Sequence, residues 1–137
     1  MILGLGSDLC DIRRIESAIA RHGTRFLERI FTASEREYAE RRPVRSRIAT
    51  YAKRFAAKEA AVKALGTGFR DGIFFADLCV RNLANGQPTL LMSGASGERL
   101  RAMTPAGLVA HVALTMTDEH PYAFAQVIIS ATRASPV

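Results

Sequence analysis

Residues 46–65 decide the fold of this chain, and they read SRIATYAKRFAAKEAAVKAL. The run contains neither glycine nor proline and is rich in residues that favour helices. Gly66 follows at once, and glycine is the residue type that most often ends a helix. We therefore expect one long helix here. Its predicted core-facing side carries Ile48, Ala52, Phe55 and Val62.

Shorter patterns on both sides of this run predict the remaining elements. Helical segments are expected at 11–21, 26–30, from about 34 to before Pro43, and 96–103. Strands are expected at 2–7, 78–83, 89–92, 109–117 and 122–130. Ser34 is the expected N-cap of the short polar helix, with Glu37 completing a capping box. Because the helices come first and antiparallel strands follow, the order indicates an α+β fold rather than an alternating α/β fold.

The first predicted strand carries Gly4 and Gly6 two positions apart, so both lie on one face. Glycines in a strand interior often mark a place where another backbone comes close. We therefore expect a tight packing contact at this face. Asp8 continues the same face at the expected end of the strand, where nothing local requires an acid.

The composition of the 137 residues is typical of one globular domain, with 48% hydrophobic and 23% charged residues. No apolar run approaches the ~18 residues of a membrane-spanning helix, and the first residues do not have the pattern of a secretory signal. Cys10 and Cys79 are isolated and lack metal-type spacing, so we expect reduced, buried thiols. These features predict a cytoplasmic protein with no membrane partner.

The net charge of +6 comes entirely from the N-terminal half. Residues 1–70 contain fifteen Arg and Lys against eight Asp and Glu, whereas residues 71–137 contain four against five. A field of this kind attracts polyanions such as nucleic acid, an acidic protein or a multiply phosphorylated small molecule. A basic surface without a specific partner is the plainer interpretation.

Two acids lie where an acid is unexpected. Glu59 falls on the apolar side of the predicted long helix, between Phe55 and Val62, and a buried carboxylate needs a cation or a proton. The plainer interpretation is a helix-surface bridge from Glu59 to Lys63, and for Asp8 a cap or turn. Alternatively the two acids supply oxygen ligands to Mg²⁺, which typically takes one or two protein carboxylates. The nearby bases Arg54, Lys58 and Lys63 would then hold phosphate charge.

Several stretches together resemble a known family. They are residues 4–9, residues 54–68, Asn85-Gly86-Gln87-Pro88, residues 111–115 and Tyr122-Ala123. The most specific of them is 54–68, which reads RFAAKEAAVKALGTG. The chain resembles the holo-[acyl-carrier-protein] synthases, the short bacterial type of 4′-phosphopantetheinyl transferase, over nearly its whole length. The resemblance implies a single domain over 1–137, with an antiparallel sheet packed against a long central helix.

The resemblance also implies an activity and a set of site residues. Such enzymes move 4′-phosphopantetheine from coenzyme A to a serine of apo acyl carrier protein, release adenosine 3′,5′-bisphosphate and so support fatty acid biosynthesis. They are usually homotrimers with active sites between subunits. Asp8 and Glu59 would hold Mg²⁺ and act with Lys63 in catalysis. The coenzyme A site would comprise Arg54, Lys58, Lys63, Gly66, Asn85, Gly86, Pro88, His111 and Thr115. The carrier would dock on Arg14, Arg21 and Arg25.

Two different groups are candidates for accepting the serine proton. Glu59 itself and a metal-bound water oriented by Asp8 or Glu59 both satisfy the chemistry. Many relatives have a histidine, sometimes followed by an acid, at the position of Met116, which cannot exchange protons. Either a residue of the following loop substitutes for it, or that role is dispensable. The candidate substitutes are Asp118, Glu119 and His120, which are otherwise ordinary loop residues.

Three other function classes compete with this reading. A nucleic-acid-binding domain would suit the basic charge, but the basic residues lack the interleaved aromatics on which bases stack, so no nucleic-acid partner is expected. A Mg²⁺-dependent phosphohydrolase would need only Asp8, Glu59 and a water. A non-catalytic oligomeric scaffold would need neither acid for anything but stability.

Overall fold

A computed structural model describes residues 1–135. Its strands are β1 (Ile2–Asp11), β2 (Leu78–Asn82), β3 (Pro88–Met92), β4 (Leu108–Glu119) and β5 (Tyr122–Arg133). Its α-helices are α1 (Ile12–His22), α2 (Thr24–Ile30), α3 (Ala33–Glu40), α4 (Val44–Leu65) and α5 (Gly94–Met103). A short 3-10 turn, Phe75–Asp77, precedes β2. The expected α+β class, with one long helix of 22 residues, is confirmed.

The main sheet has three antiparallel strands in the order β1-β5-β4, and β2 and β3 form a separate hairpin. The face of the main sheet that packs on α4 is buried, as the alternating buried residues of β5 show. Among residues 1–135 no element covers the opposite face, which exposes Leu5 by 60% and Leu9 by 62%. The sheet therefore has one core face and one open face, on which two leucines are exposed.

The expected close approach at Gly4 and Gly6 is confirmed. A Cβ atom at Gly4 would lie 2.0 Å from the Ala64 carbonyl oxygen, and one at Gly6 would lie 2.0 Å from the Ala60 carbonyl oxygen. Real Cβ atoms do not come so near to a backbone oxygen, so β1 lies against the backbone of α4. This contact fixes Asp8, two residues further along β1, relative to α4.

The α4 helix is the centre of the fold, and it is buried on more sides than the sequence predicts. Ala52 and Val62 are buried as expected, whereas Ile48 and Phe55 are only half-buried. The helix begins at Val44, two residues earlier than expected. Its other sides are covered by the sheet and by the hairpin. The additional buried residues are Thr50, Tyr51, Arg54, Ala56, Ala57, Lys58, Ala60, Ala61, Ala64 and Leu65. The sequence predicted that only one side of α4 would be buried. More of it is buried because other elements pack on several sides of the helix.

The predicted cap of α3 was wrong by two residues. Thr32 is the N-cap, and its hydroxyl accepts from the Glu35 N–H at 3.3 Å while Glu35 Oε1 accepts from the Thr32 N–H at 2.8 Å. Ser34 and Glu37 lie inside the helix. With Thr32 as the cap, Glu35 takes the third helical position, where it is buried and both of its carboxylate oxygens accept hydrogen bonds.

Both cysteines are reduced, as predicted. Cys10 is buried, but Cys79 is only half-buried, so the expectation of burial holds for one of the two. Within residues 1–135 no helix is both long enough and apolar enough to cross a bilayer.

Candidate active site

Asp8 lies within β1, which continues to Asp11, and not at the strand end that the sequence predicts. Lys63 of α4 donates from Nζ to Asp8 Oδ1 at 3.2 Å and to the Ser7 carbonyl oxygen at 2.9 Å. The Asp8 side chain is 17% exposed and that of Lys63 is 53% exposed. The ion pair ties the strand to the helix and leaves the ammonium open to a ligand.

Glu59 joins this group from one turn earlier on α4. Its side chain is half-buried, and burial raises the pKa of its carboxyl, with the negative charge of Asp8 raising it further. The positive charges of Lys63 and Arg14 act in the opposite direction. We call Asp8, Arg14, Glu59 and Lys63 the Asp8–Glu59 cluster. In the described part of the chain Lys63 pairs with Asp8 and not with Glu59, so the simple helix-surface bridge is wrong.

The two carboxylates of the cluster fit a hard divalent cation. Carboxylate oxygens are ligands that Mg²⁺ prefers, and Mg²⁺ fills its remaining positions with water and phosphate oxygens. Among residues 1–135 no three His, Cys, Asp or Glu side chains converge on one point. A pair of carboxylates such as Asp8 and Glu59 suits an ion that a phosphate-bearing substrate helps to hold.

Arg54 lies on another side of α4. Its side chain is buried, its guanidinium carbon is 4.2 Å from the centre of the Tyr38 ring, and Nη2 donates to Asn82 Oδ1 at 2.7 Å. The Nε atom is buried and has no partner among the described residues. Arg54 and Arg81 both line a cavity of about 340 Å³. Two guanidinium groups at one cavity make it suitable for an anionic ligand.

Lys58 is not at the surface where the resemblance implies a phosphate contact. Its side chain is fully buried, and Nζ donates to the Ile30 carbonyl oxygen, Glu35 Oε1 and the Phe75 carbonyl oxygen. All three protons of the ammonium group are thus engaged by the chain itself. In this structure Lys58 has no hydrogen bond left for a phosphate, and its assignment to the coenzyme A site is corrected accordingly.

The β2–β3 turn lies next to Arg54. Asn85 and Gly86 are exposed in this turn, and Pro88 begins β3. Asn82 links the turn to the arginine, because its Nδ2 donates to the Gly86 carbonyl oxygen at 3.1 Å while its Oδ1 accepts from Arg54. Asn82, Tyr38 and Arg81 were missed by the sequence reasoning, which had no local signal for a contact across 28 residues. Gly66 is exposed at the end of α4, as expected.

His111 and Thr115 lie on the open face of the sheet, away from α4. His111 Nε2 is 2.8 Å from Thr132 Oγ1. Within one chain these two residues therefore do not meet the Asp8–Glu59 cluster. Met116 has the other orientation and is half-buried. Met116 pairs with Ala125 of β5, and Ala125 pairs with Asp8 of β1. The position at which the resemblance implies a histidine is therefore in line with Asp8 across the sheet.

Of the three candidate substitutes for that histidine, only Asp118 has an ion-pair partner within residues 1–135. Asp118 forms an ion pair with Lys53 at 3.0 Å. His120, exposed at the β4–β5 turn, borders a cavity of about 700 Å³ together with Asp118 and Ile12. Glu119 is exposed at the end of β4. Within the described chain these residues contribute no ion pair to the Asp8–Glu59 cluster.

The exposed side of α1 and α2 carries a row of arginines. Two adjoining grooves on this side, of about 370 and 280 Å³, meet at His22. Their basic residues, which we call the arginine face, are Arg13, Arg14, Arg21, Arg25 and Arg29. Of these only Arg13 has an ion-pair partner in residues 1–135, Asp11. Since Arg14 also belongs to the Asp8–Glu59 cluster, the arginine face begins beside that cluster.

Comparisons with known proteins identify the family. The family model of the 4′-phosphopantetheinyl transferase superfamily matches residues 4–125. Holo-[acyl-carrier-protein] synthase from Granulibacter bethesdensis is 65% identical, over 96% of this chain and 90% of that protein. The crystal structure of the Neisseria meningitidis holo-[acyl-carrier-protein] synthase superposes with a TM-score of 0.82 at 32% identity, over 95% of this chain and 99% of that one.

A second solved structure carries a ligand. The Bacillus anthracis holo-(acyl-carrier-protein) synthase, described as a complex with CoA (3′,5′-ADP), is 34% identical with a TM-score of 0.74, over 94% of this chain and 96% of that one. Sequence and fold thus agree with one group of enzymes over at least 94% of the chain. The chain belongs to the 4′-phosphopantetheinyl transferase superfamily, among its holo-[acyl-carrier-protein] synthases.

Proposed function

We propose that the protein transfers 4′-phosphopantetheine from coenzyme A to a serine of apo acyl carrier protein, releases adenosine 3′,5′-bisphosphate, and so supports fatty acid biosynthesis in the cytoplasm. The single observation that carries the proposal is the Asp8–Glu59 cluster, which places two carboxylates and an open ammonium beside the arginine face. The carboxylates suit a cation, the ammonium suits a phosphate, and the arginines suit an acidic protein.

Asp8 and Glu59 would hold Mg²⁺, which supplies positive charge at the pyrophosphate of coenzyme A when it is bound. The ammonium of Lys63, more than half exposed, would bind the same pyrophosphate and stabilise the negative charge that grows on the leaving phosphate. The serine proton passes to an acceptor in this cluster, either Glu59 or a water that Glu59 or Asp8 orients. The cluster would thus act by orienting the serine and the pyrophosphate toward each other and by placing positive charge where negative charge grows.

The positions of the remaining coenzyme A residues favour active sites between subunits. Arg54 and Glu59 are five residues apart on α4, which corresponds to a rotation of about 140° around the helix axis. One coenzyme A molecule bound at Glu59 of one chain would therefore meet Arg54, Asn85, Gly86 and Pro88 of a neighbouring chain. His111 and Thr115 face away from α4, so they too would contact coenzyme A bound at Glu59 of a neighbouring chain. We infer a homotrimer with interfacial sites.

The open face of the sheet is the surface proposed for this assembly. We expect Leu5→Asp, at a leucine that is 60% exposed, to convert the trimer into monomers and to abolish transfer. Light scattering coupled to gel filtration measures the mass. The matched control is Leu91→Asp, which changes a 45% exposed leucine of β3 outside the main sheet and should leave a trimer. A monomeric wild-type protein, or a trimeric Leu5→Asp variant, would contradict the assembly.

The arginine face is the proposed docking surface for the acidic carrier. We expect Arg21→Glu to raise the KM for the carrier about tenfold and to leave the KM for coenzyme A unchanged, because Arg21 lies about two helical turns beyond Arg14, the member of the Asp8–Glu59 cluster on α1. The carrier KM should also rise with salt. Kinetics with each substrate varied in turn test this expectation, with Arg133→Glu as a control at the far end of β5. Equal losses for both substrates would count against the docking assignment.

The function itself is tested by the dependence of product release on the carrier. Protein, coenzyme A and Mg²⁺ are incubated with and without apo carrier, and released adenosine 3′,5′-bisphosphate is measured by chromatography. A transferase releases it only with the carrier, whose mass rises by one phosphopantetheine. Rapid release without carrier would instead identify a phosphohydrolase.

A further inference from the structure

The ammonium of Lys58 is held on three sides by groups from three different segments. Nζ lies 2.6 Å from the Ile30 carbonyl oxygen at the end of α2, 2.6 Å from Glu35 Oε1 in α3, and 3.1 Å from the Phe75 carbonyl oxygen before β2. The side chains of Lys58 and Glu35 are both 0% exposed. This is a completely buried ion pair whose cation has no free donor.

The carboxylate of Glu35 is equally occupied. Oε1 accepts from the Thr32 N–H at 2.8 Å as well as from Lys58, and Oε2 accepts from the Val80 N–H at 2.8 Å. The pair therefore joins α4 to the end of α2, the start of α3, the 3-10 turn and β2. Aromatic stacking of Phe75 on Phe55 and the hydrogen bond from Arg54 to Asn82 connect two of these segments to α4 as well.

The segments held by the pair are those that carry the candidate coenzyme A site. Phe75 stacks between Phe55, one turn before Glu59, at 5.6 Å and Phe69, just after Gly66, at 3.8 Å between ring centres. In the hairpin, Val80, whose N–H donates to Glu35, is two residues before Asn82, which accepts a hydrogen bond from Arg54. A shift of either segment would move residues on both sides of the site.

We propose that the buried Lys58–Glu35 pair positions the coenzyme A site, by fixing the Gly66–Phe75 segment and the β2–β3 hairpin to the helix that carries Glu59 and Arg54. The proposal rests on the proposed function. Lys58 is thus a positioning residue and not a phosphate ligand. Its one bond to the helices of the arginine face is to the backbone oxygen of Ile30, the last residue of α2, so we expect loss of the pair to weaken coenzyme A binding more than carrier docking.

The direction of the pair is fixed by the backbone. Two carbonyl oxygens, of Ile30 and Phe75, require a donor at position 58, and two N–H groups, of Thr32 and Val80, require an acceptor at position 35. If lysine and glutamate exchanged positions, the two carbonyl oxygens would face a carboxylate and the two N–H groups would face an ammonium group, so all four hydrogen bonds would be lost. We therefore expect the double exchange Lys58→Glu with Glu35→Lys not to rescue function, unlike an ion pair that acts through charge alone.

The test compares Lys58→Met, which keeps the length of the side chain, with Glu35→Gln, which keeps its shape and one acceptor. Thermal melts first establish that each variant is folded at the assay temperature. We expect the KM for coenzyme A, and its Kd by calorimetry, to rise about tenfold while the carrier KM stays within about twofold. The matched control is Lys53→Met on the same helix, which breaks the partly exposed ion pair between Lys53 and Asp118 of β4. It should change neither the KM for coenzyme A nor the KM for the carrier.

A merely structural role would lower activity in proportion to the folded fraction and leave both KM values unchanged. That result in a folded variant, rescue by the charge exchange, or unfolding of both single variants at the assay temperature would overturn the proposal. A wild-type protein that binds no coenzyme A would overturn the proposed function and the positioning role together. Normal wild-type transfer with unaltered variants would overturn the positioning role alone.

Discussion

Replacing Glu59 by glutamine should abolish phosphopantetheine transfer while the fold persists. The substitution keeps the size of the side chain and removes one of the two charges that would hold the metal, and an amide is a much weaker ligand for a hard cation. We expect the rate to fall about 10³-fold. Mass spectrometry of the carrier measures the transfer.

The environment of Glu59 explains why its loss should not unfold the protein. Burial and the neighbouring Asp8 raise the pKa of this carboxyl, so both disfavour its charged form. A neutral amide removes that penalty, and the thermal midpoint of the variant should be equal to or above that of the wild type. Glu98→Gln, at an exposed position of α5, serves as the control. Transfer at a near-normal rate by Glu59→Gln would contradict the metal role.

Replacing Gly6 by alanine should produce the largest loss of stability of any single methyl group added to this chain. The new Cβ atom would lie 2.0 Å from the Ala60 carbonyl oxygen and 2.7 Å from the Ala64 nitrogen, and both are backbone atoms of the central helix. Neither can move without breaking α4, so β1 must move away from the helix. We expect a loss of about 3 kcal/mol or more in the free energy of unfolding.

Chemical denaturation measures this loss, and the thermal midpoint should fall by roughly 10 °C. Because β1 carries Asp8, transfer should fall even at temperatures where the variant is folded. The control is Ser7→Ala, at the adjacent position that points to the open face. A Gly6→Ala variant as stable as the wild type would show that β1 does not need the close contact with α4.

Much of the fold could be predicted because its signals are local. The helix-forming run before Gly66 predicts α4, and the spacing of Gly4 and Gly6 predicts a close backbone contact, which Ala60 and Ala64 provide. The extension of β1 as far as Asp11 could not be predicted in this way. It depends on pairing with Tyr122 of β5, and a register with a distant strand leaves no mark on the nearby sequence.

The site could be predicted only in part, for a related reason. Glu59 was conspicuous as an acid on an apolar side, and Asp8 and Lys63 do lie beside it. Lys58 was expected among the bases that hold phosphate charge, and its burial was not expected since lysines rarely lie in a core. Its burial depends on Glu35, 23 positions away, and on carbonyl oxygens in two other segments, none of which is visible from position 58.

The central claim is that Asp8 and Glu59 share one divalent ion, and a crystal structure with coenzyme A and Mg²⁺ tests it most directly. We expect one carboxylate oxygen from each residue about 2.1 Å from the ion, with pyrophosphate oxygens and water completing six ligands. An ion bound without either carboxylate, or coenzyme A bound with both side chains far from any cation, would contradict the account.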